Sequence, residues 1–416
     1  IIERGNIMKF KIFSILILVL FVFNFSVLAD GKIFLGGGAL QDGNENLWQG
    51  FYDATSKDSP VVAVFCSAEG SLDEAKEEYY QDTEKYMSWE NLFKKYDFKP
   101  VFIPIAIDNA EKAAYNEENI KKVKSADAIW FNGGNQNLHV DSLVNDNVKA
   151  TPLLKAVYEV FDNGGVVGGT SAGTAIMSDP MIGAGKSLAS LLDGVTNKDN
   201  YSNPDDNRVF IRNGFDFFNK GIVDQHFIKR GRLGRLIRAA NYTESEFAIG
   251  VDENTAALIN GNEVSVYGES GVIILDLRDM KVNGESNFSD IRLHYLAQGD
   301  SMNIVNGEYE TNEAKDLSLI GDEYYAGNEL NSDIFAEDAV KDIVTKGLID
   351  NTESIAQGIS FRMVSENKAE GIKVIFKENE NSSGYFGKVN GENSYAVYNI
   401  EVEVIPINLE IKNKEN

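Results

Sequence analysis

The chain has 416 residues and carries 39 Lys and Arg against 64 Asp and Glu, a formal net charge of −25. So acidic a chain is a poor partner for nucleic acid, because phosphate contacts need clustered cations. A single cysteine, Cys66, excludes an intrachain disulfide and any Cys-based metal cluster, and three histidines leave little material for a metal centre. In chain order, Met8-Lys9-Phe10-Lys11 and the apolar run Ile12 to Leu28 read as the basic and hydrophobic parts of a secretory signal, with Met8 as the initiator. Val27-Leu28-Ala29 supplies small-residue cleavage positions before Asp30, so residues 1–29 are expected to be removed and the protein to be secreted, extracellular or periplasmic. The alternative for the same run is an uncleaved anchor; a lipoprotein anchor lacks its cysteine at Asp30.

From Lys32 onward, short apolar runs alternate with longer helix-like stretches. Lys32 to Gly36, Val61 to Cys66, Val101 to Ile105, Ala128 to Phe131 and Gly165 to Gly168 read as buried strands. Leu72 to Tyr96 reads as one surface helix and Pro152 to Phe161 as a helix. Strand, helix, strand in repetition predicts an α/β fold with a doubly wound, mainly parallel sheet and right-handed crossovers. Past Gly261 the pattern becomes consecutive strands, Val264 to Gly268, Gly271 to Leu277 and Ile291 to Leu296. Residues 30–305 are therefore taken as the catalytic domain. Residues 306–416 are read as a β-rich C-terminal extension without a catalytic grouping, holding a helix near Ala336 to Leu348 and strands at Ile372 to Phe376 and Tyr395 to Ile411.

The chemistry gathers after the Val166-Val167 strand. Gly169-Thr170-Ser171-Ala172-Gly173 is G-x-S-x-G between a strand and the helix-like Thr174 to Met177, the context of a nucleophile elbow. Small residues flank the serine so that its Oγ stands exposed in a sharp turn, and the following amide can face a developing oxyanion. Three histidines compete for the role of base. His139 lies upstream, His294 sits in a strand-like alternation, and His226 follows the strand-like Gly221 to Val223 beside a polar, Arg-rich stretch. Position at a strand end favours His226. Asp252 and Glu253, at the end of Phe247 to Val251, are both open as the orienting acid. Arg230, Arg232, Arg235 and Arg238 lie off the apolar face made by Leu233, Leu236, Ile237 and Ala240. Such guanidinium groups suit bidentate capture of carboxylates, or else pair with surface acids. Cys66 reads as a buried strand residue, Gly36 to Gly38 as a tight turn near the site, and Trp48, Trp89 and Trp130 as core or substrate wall.

Four segments together resemble the cyanophycinase family, within the serine peptidases that also include aspartyl dipeptidase. They are Gly168-Gly-Thr-Ser-Ala-Gly173, Asn132-Gly-Gly-Asn-Gln136, Asp224-Gln-His-Phe-Ile-Lys-Arg-Gly-Arg-Leu-Gly-Arg-Leu236 and Gly250-Val-Asp-Glu-Asn-Thr-Ala256. The resemblance spans roughly Lys32 to Ile304 and implies a fold like class I glutamine amidotransferases, with serine in place of their cysteine. It implies Ser171 as nucleophile, His226 as base and Glu253 as the acid. Ala172 and Gly134 would be oxyanion donors, and Gln136, Asp224, Gln225, Arg230, Arg232 and Arg235 would line the substrate pocket. Asn135 departs from the pattern, which has an acidic residue before the glutamine.

The implied activity is exo-hydrolysis of cyanophycin, a poly-aspartate with arginine on each β-carboxyl, releasing β-Asp-Arg dipeptides. No metal or organic cofactor is called for. The partners implied are that polymer or an aspartyl peptide, with no nucleic acid, no stable membrane insertion after signal cleavage, and a homodimer as the assembly allowed for. An exopeptidase for aspartyl or isoaspartyl dipeptides and a catalytically idle polymer-binding relative are the alternatives; the arginine block favours the first reading.

Overall fold

A computed structural model describes residues 31–145, 147–196 and 206–410. The expected signal peptide, residues 1–29, lies outside the described residues. Five strands rich in Val, Ile and Phe form a parallel block in the order Lys32–Gly36, Val166–Thr170, Ala128–Phe131, Val61–Phe65, Lys99–Ile103. Four of them are buried almost throughout because both faces are covered, whereas Lys99–Ile103 is the edge strand and is buried only at Ile103. Ile33, Leu35, Phe65, Ile129 and Val167 pack with Leu153, Leu154 and Val157 of the helix Pro152–Asp162. Phe34, Val62, Val64, Trp130 and Val166 share a second apolar layer with Leu47, Trp48 and Phe51 of the helix Glu45–Ala54. Successive residues of one strand thus serve opposite layers, and the sheet is wound on both faces. Beyond Lys32–Gly36 the sheet continues antiparallel through Thr255–Asn260, Glu263–Gly268, Ser301–Asn303 and Tyr309–Glu310.

A second sheet starts from a parallel pair, Gly221–Asp224 beside Phe247–Val251. It runs on antiparallel through Gly271–Asp276, Asn287–Ala297 and the long strand Glu392–Glu410. Lys368–Lys377 and Ser383–Val389 both pair with that long strand, and Ile355–Ser365 pairs with Lys368–Lys377. The strands from Ile355 onward are therefore hydrogen-bonded, through Asn287–Ala297, into the sheet that carries Asp224 and Val251, whereas Tyr309–Glu310 stays in the first sheet. A second tie is the Lys315–Asp300 ion pair at 2.5 Å, in which neither side chain is exposed. Asp300 also accepts from the amides of Ala297 and Asn312.

Two helices depart from the sequence expectation. The stretch read as one helix, Leu72 to Tyr96, is two, Leu72–Tyr80 and Trp89–Lys95. Between them the Asp82 carboxylate accepts from the Ser88 amide and the Asn91 side chain, Thr83 Oγ1 accepts from the Lys85 and Tyr86 amides, and Ser88 caps the second helix. Short polar side chains that satisfy backbone groups locally outcompete the helical ladder. The helix expected over Ala336 to Leu348 is shorter in α form, Ala339–Val344, and is followed by a π turn at Thr345–Ile349. The strands Ile355–Ser365 and Ser383–Val389 add to those read from the sequence.

Candidate active site

The carboxyl ends of strands from both sheets converge on one place. Ser171 follows Val166–Thr170 in a strained conformation, φ 53° and ψ −108°, immediately before the short helix Ala172–Ala175. Such backbone persists only where neighbours over-determine it. Here the Ser171 amide donates to the Gly36 carbonyl at 2.9 Å and the Gly173 amide to the Asn132 carbonyl at 3.1 Å. Thr174 Oγ1 donates to the carbonyls of Gly36 and Gly169 at 2.7 and 3.0 Å. The turn is thereby tied to the ends of two adjoining strands, and the serine hydroxyl is held outward.

The second sheet supplies the partners. His226 lies two residues past Gly221–Asp224, and its Nε2 is 2.9 Å from Ser171 Oγ. Its Nδ1 is 2.6 Å from Oε1 of Glu253, which lies two residues past Phe247–Val251. Asp252, left open by spacing, is engaged elsewhere: it accepts from the Lys229 amide and the Ser270 hydroxyl. Burial and the Arg230 charge push the His226 imidazole down to about 4, against the opposing pull of Glu253, so the ring is neutral at pH 7. The other two histidines are buried within the structure. His139 bonds Ser67 Oγ and the Asn132 carbonyl, and His294 accepts from the Asn399 amide.

Gly37 and Gly38 join the two sheets. The Gly37 carbonyl accepts from the His226 amide at 2.7 Å, and the Gly38 carbonyl from the Asn254 amide at 2.9 Å. A Cβ on Gly38, whose φ is +105°, would lie 2.3 Å from the His226 ring; one on Gly37 would lie 1.8 Å from the Asp252 carbonyl oxygen. The triple glycine is thus the seam that lets His226 and Glu253 approach Ser171, a role beyond the tight turn read from the sequence.

Gly133 stands beside the serine: a Cβ there would be 3.5 Å from Ser171 Cβ, whereas Gly134 turns towards Ala68. The Asn132 side chain steadies this turn through the Ala68 amide and the Glu69 carboxylate. Burial, with Glu78 nearby, raises the Glu69 carboxyl to about 7. Asn135 caps the helix Gln136–Leu143.

Most of the residues expected to line a substrate pocket serve the scaffold. Arg235 is buried and forks onto Asp224, with a further bond to the Gly185 carbonyl. Arg232 donates to the Gln225 carbonyl, and Gln136 donates to the carbonyls of Ile182 and Gly183. Arg238 holds the carbonyls of Ser190 and Leu191. Three of the four cations that spacing places together are drawn inward because buried carbonyls and the Asp224 carboxylate need donors. Arg230 alone of the four keeps a half-exposed side chain, with Nε 3.6 Å from Glu253 Oε1. The buried Gln225 Oε1 has no hydrogen-bond partner among the described residues.

Two cavities flank the Ser171–His226–Glu253 chain. One, of about 250 Å³, is lined by Ser171, His226, Gly133, Asp42, Glu78 and Trp89, with other residues. The other, of about 710 Å³, touches Glu253, Asn254, Lys229, Lys85, Glu269 and Asp338. Ala39, Asp42 and Tyr86 belong to both walls. Asp42 and Glu78 carried no motif and escaped the sequence reading, because one lies in the turn before Glu45–Ala54 and the other in the helix Leu72–Tyr80, and they reach the site through long-range contacts. Among the described residues no group of three or more His, Cys, Asp or Glu side chains could hold a metal ion.

A hydroxyl, an imidazole and a carboxylate in hydrogen-bonded series at strand ends is the arrangement of a serine-type hydrolase. The chain matches Peptidase family S51 over residues 33–267, more than half its length. It belongs to that family and is a serine-type peptidase. It is 28% identical over 267 residues to a cyanophycinase of Synechococcus elongatus, covering 59% of this chain and 74% of that protein. Against a cyanophycinase of Geminocystis herdmanii the identity is 28% over 286 residues, covering 66% and 94%. Among solved structures, a peptidase from an acI-B1 Actinobacterium aligns with a TM-score of 0.45 at 20% identity, over 66% of this chain and 98% of that one.

Proposed function

We propose that this protein is a secreted serine exopeptidase that hydrolyses cyanophycin to β-Asp-Arg dipeptides. The observation that carries the reading is the Ser171–His226–Glu253 hydrogen-bonded chain in a protein whose curated relatives are cyanophycinases. His226, neutral at pH 7, accepts the Ser171 proton as Oγ attacks the backbone carbonyl; the imidazolium then protonates the leaving amine. Water hydrolyses the acyl-enzyme by the same route in reverse. Glu253 fixes the ring so that Nε2 faces the serine, and stabilises the imidazolium. The amide of Ala172 and that of Gly134, or of its neighbour Gly133 beside Ser171, are taken as the oxyanion donors, each commonly worth about 3 kcal/mol.

Substrate selection draws on the cavity walls. An arginine side chain needs an acidic partner and an apolar surface for its stem. Asp42, Glu78 and Trp89 supply both beside Ser171. Arg230, half-exposed next to Glu253, suits a free carboxylate of the substrate. The overall charge of −25 attracts a substrate rich in guanidinium groups.

The test is mass spectrometry of products after incubation with purified cyanophycin, beside a Ser171→Ala control. Release of β-Asp-Arg by the wild type alone is the expected result. No release by folded wild type would remove the substrate assignment. Secretion is checked separately, by cell fractionation and by sequencing the mature N-terminus, expected at Asp30.

A further inference from the structure

The loop from His226 to Arg232 is a strained support for a base. His226 has φ +46° and Gly231 φ +53°, and the loop closes on itself by bonds from the Arg230 amide to the His226 carbonyl and from the Arg232 amide to the Phe227 carbonyl. One side of it rests on Gly37, through the His226 amide. The other side rests on a turn far downstream in sequence and outside the family match, Phe335 to Asp338. The Phe335 carbonyl oxygen approaches so closely that a Cβ on Gly231 would lie 1.8 Å from it, and the Phe335 ring lies 3.0 Å from where a Gly234 Cβ would stand. The Asp338 amide donates to the Ile228 carbonyl at 3.4 Å, and Glu337 pairs with Lys229. Asp338 then joins Lys229 and Glu253 in the wall of the larger cavity.

The turn is itself anchored. The Ile334 amide donates to the Ile359 carbonyl at 2.9 Å, the Asn331 amide to the Gln357 carbonyl at 3.0 Å, and Ile334 is fully buried. Both acceptors belong to Ile355–Ser365, whose hairpin is hydrogen-bonded to the long strand Glu392–Glu410. Arg362 of the same strand forks onto Asp193 in the helix Ser187–Asp193.

We propose that the Phe335–Asp338 turn is a positioning element for the base: it clamps the His226–Arg232 loop against Gly37, keeping the imidazole between Ser171 and Glu253. The proposal rests on the assignment of His226 as base. The extension is then part of the catalytic apparatus and not a separate appendage. The charged and titratable groups facing the imidazole are Glu253 at Nδ1, Ser171 at Nε2, and Arg230 and Arg232 from its own loop; Glu337 and Asp338 lie across the loop on the extension side.

The deciding variant is Phe335→Ala, which changes the extension and leaves the loop's own chain intact. A displacement of about 1 Å in a catalytic group costs one to two orders of magnitude in rate. We expect kcat to fall about tenfold with KM held within about twofold. The His226 titration, followed by NMR in a chain with three imidazoles, moves upward from about 4 as water reaches the ring. The rate of Ser171 labelling by a fluorophosphonate falls in parallel. The titration and the labelling need no cyanophycin, so failure of the substrate assignment leaves this test intact. A folded Phe335→Ala protein with a lower Tm but unchanged titration, labelling and kcat overturns the proposal. If Phe335→Ala does not fold, Phe335→Leu is read in its place, with the same directions and smaller changes expected; no change there overturns it equally.

Discussion

The two sheets contribute to one site in different ways. The parallel block delivers Ser171 from the end of one strand, in a turn with φ 53° that is bonded to Gly169 of that strand and to Gly36 and Asn132 at the ends of the two adjoining strands. The second sheet delivers His226 and Glu253 from loops whose aim depends on Gly37, Gly38 and residues beyond 330. A nucleophile can be preset by a few consecutive residues. A base and its orienting acid are set by how two sheets abut, so their geometry is a property of the whole fold.

That contrast can be broken most severely at the serine. Ser171→Ala is expected to lower kcat by about a millionfold, and His226→Ala by a comparable factor, in hydrolysis of β-Asp-Arg oligomers. His294→Ala should instead lower Tm while leaving kcat of the folded protein nearly unchanged, because its ring bonds only the Asn399 amide, far from Ser171. Equal kinetic losses at His226 and His294 would contradict the assignment of the base.

Glu253→Gln comes next. It retains the shape but loses the charge that fixes the tautomer, and a loss of about 10⁴ in kcat is expected, measured against Asp252→Asn, which should chiefly affect stability. In the wild type, kcat/KM should hold from neutral pH down towards 5 and then fall as His226 protonates near 4. A fall centred near 6.5, the ordinary imidazole value, would mean that burial and Arg230 do not hold the ring as described.

Smaller effects sharpen the link between the sheet and the extension. Lys315→Met leaves Asp300 buried without its cation and should cost about 3–5 kcal/mol in denaturant unfolding. Burial depresses His139 and His294 to about 4, below the value near 6.5 in the unfolded chain. The unfolded state therefore takes up protons first as pH drops. Stability present above pH 6.5 should be lost progressively down to about 4, by up to about 3 kcal/mol for each ring. A flat stability profile between pH 6.5 and 4.5 would show that these rings are open to water.

Much of this was written locally. The parallel strands are legible as apolar runs because all but the edge strand Lys99–Ile103 are buried on both faces, and G-x-S-x-G between strand and helix marks the elbow wherever it is placed. The break at Gln81 to Ser88 was harder to see, since Asp82, Thr83 and Ser88 end and restart a helix through bonds that composition does not announce. Asp252 and Glu253 are adjacent carboxylates with nearly the same spacing to His226; resemblance to a family separated them, and in the structure the turn that follows Phe247–Val251 gives one to Ser270 and the Lys229 amide and the other to the imidazole. The arginine block misled on its own, because a guanidinium free to clamp a ligand and one buried on Asp224 look alike in residue order.

Residue order alone thus settled the α/β class, the place of the G-x-S-x-G turn and the exclusion of an intrachain disulfide, since each depends on neighbours along the chain or on composition. Only the folded chain decided that Arg235 is scaffold, that Gly37 and Gly38 are a seam between sheets, and that Phe335 reaches the loop bearing His226. Those facts arise from contacts between segments far apart in sequence. Such contacts are fixed by packing two sheets and their helices at close range, and no local pattern records them.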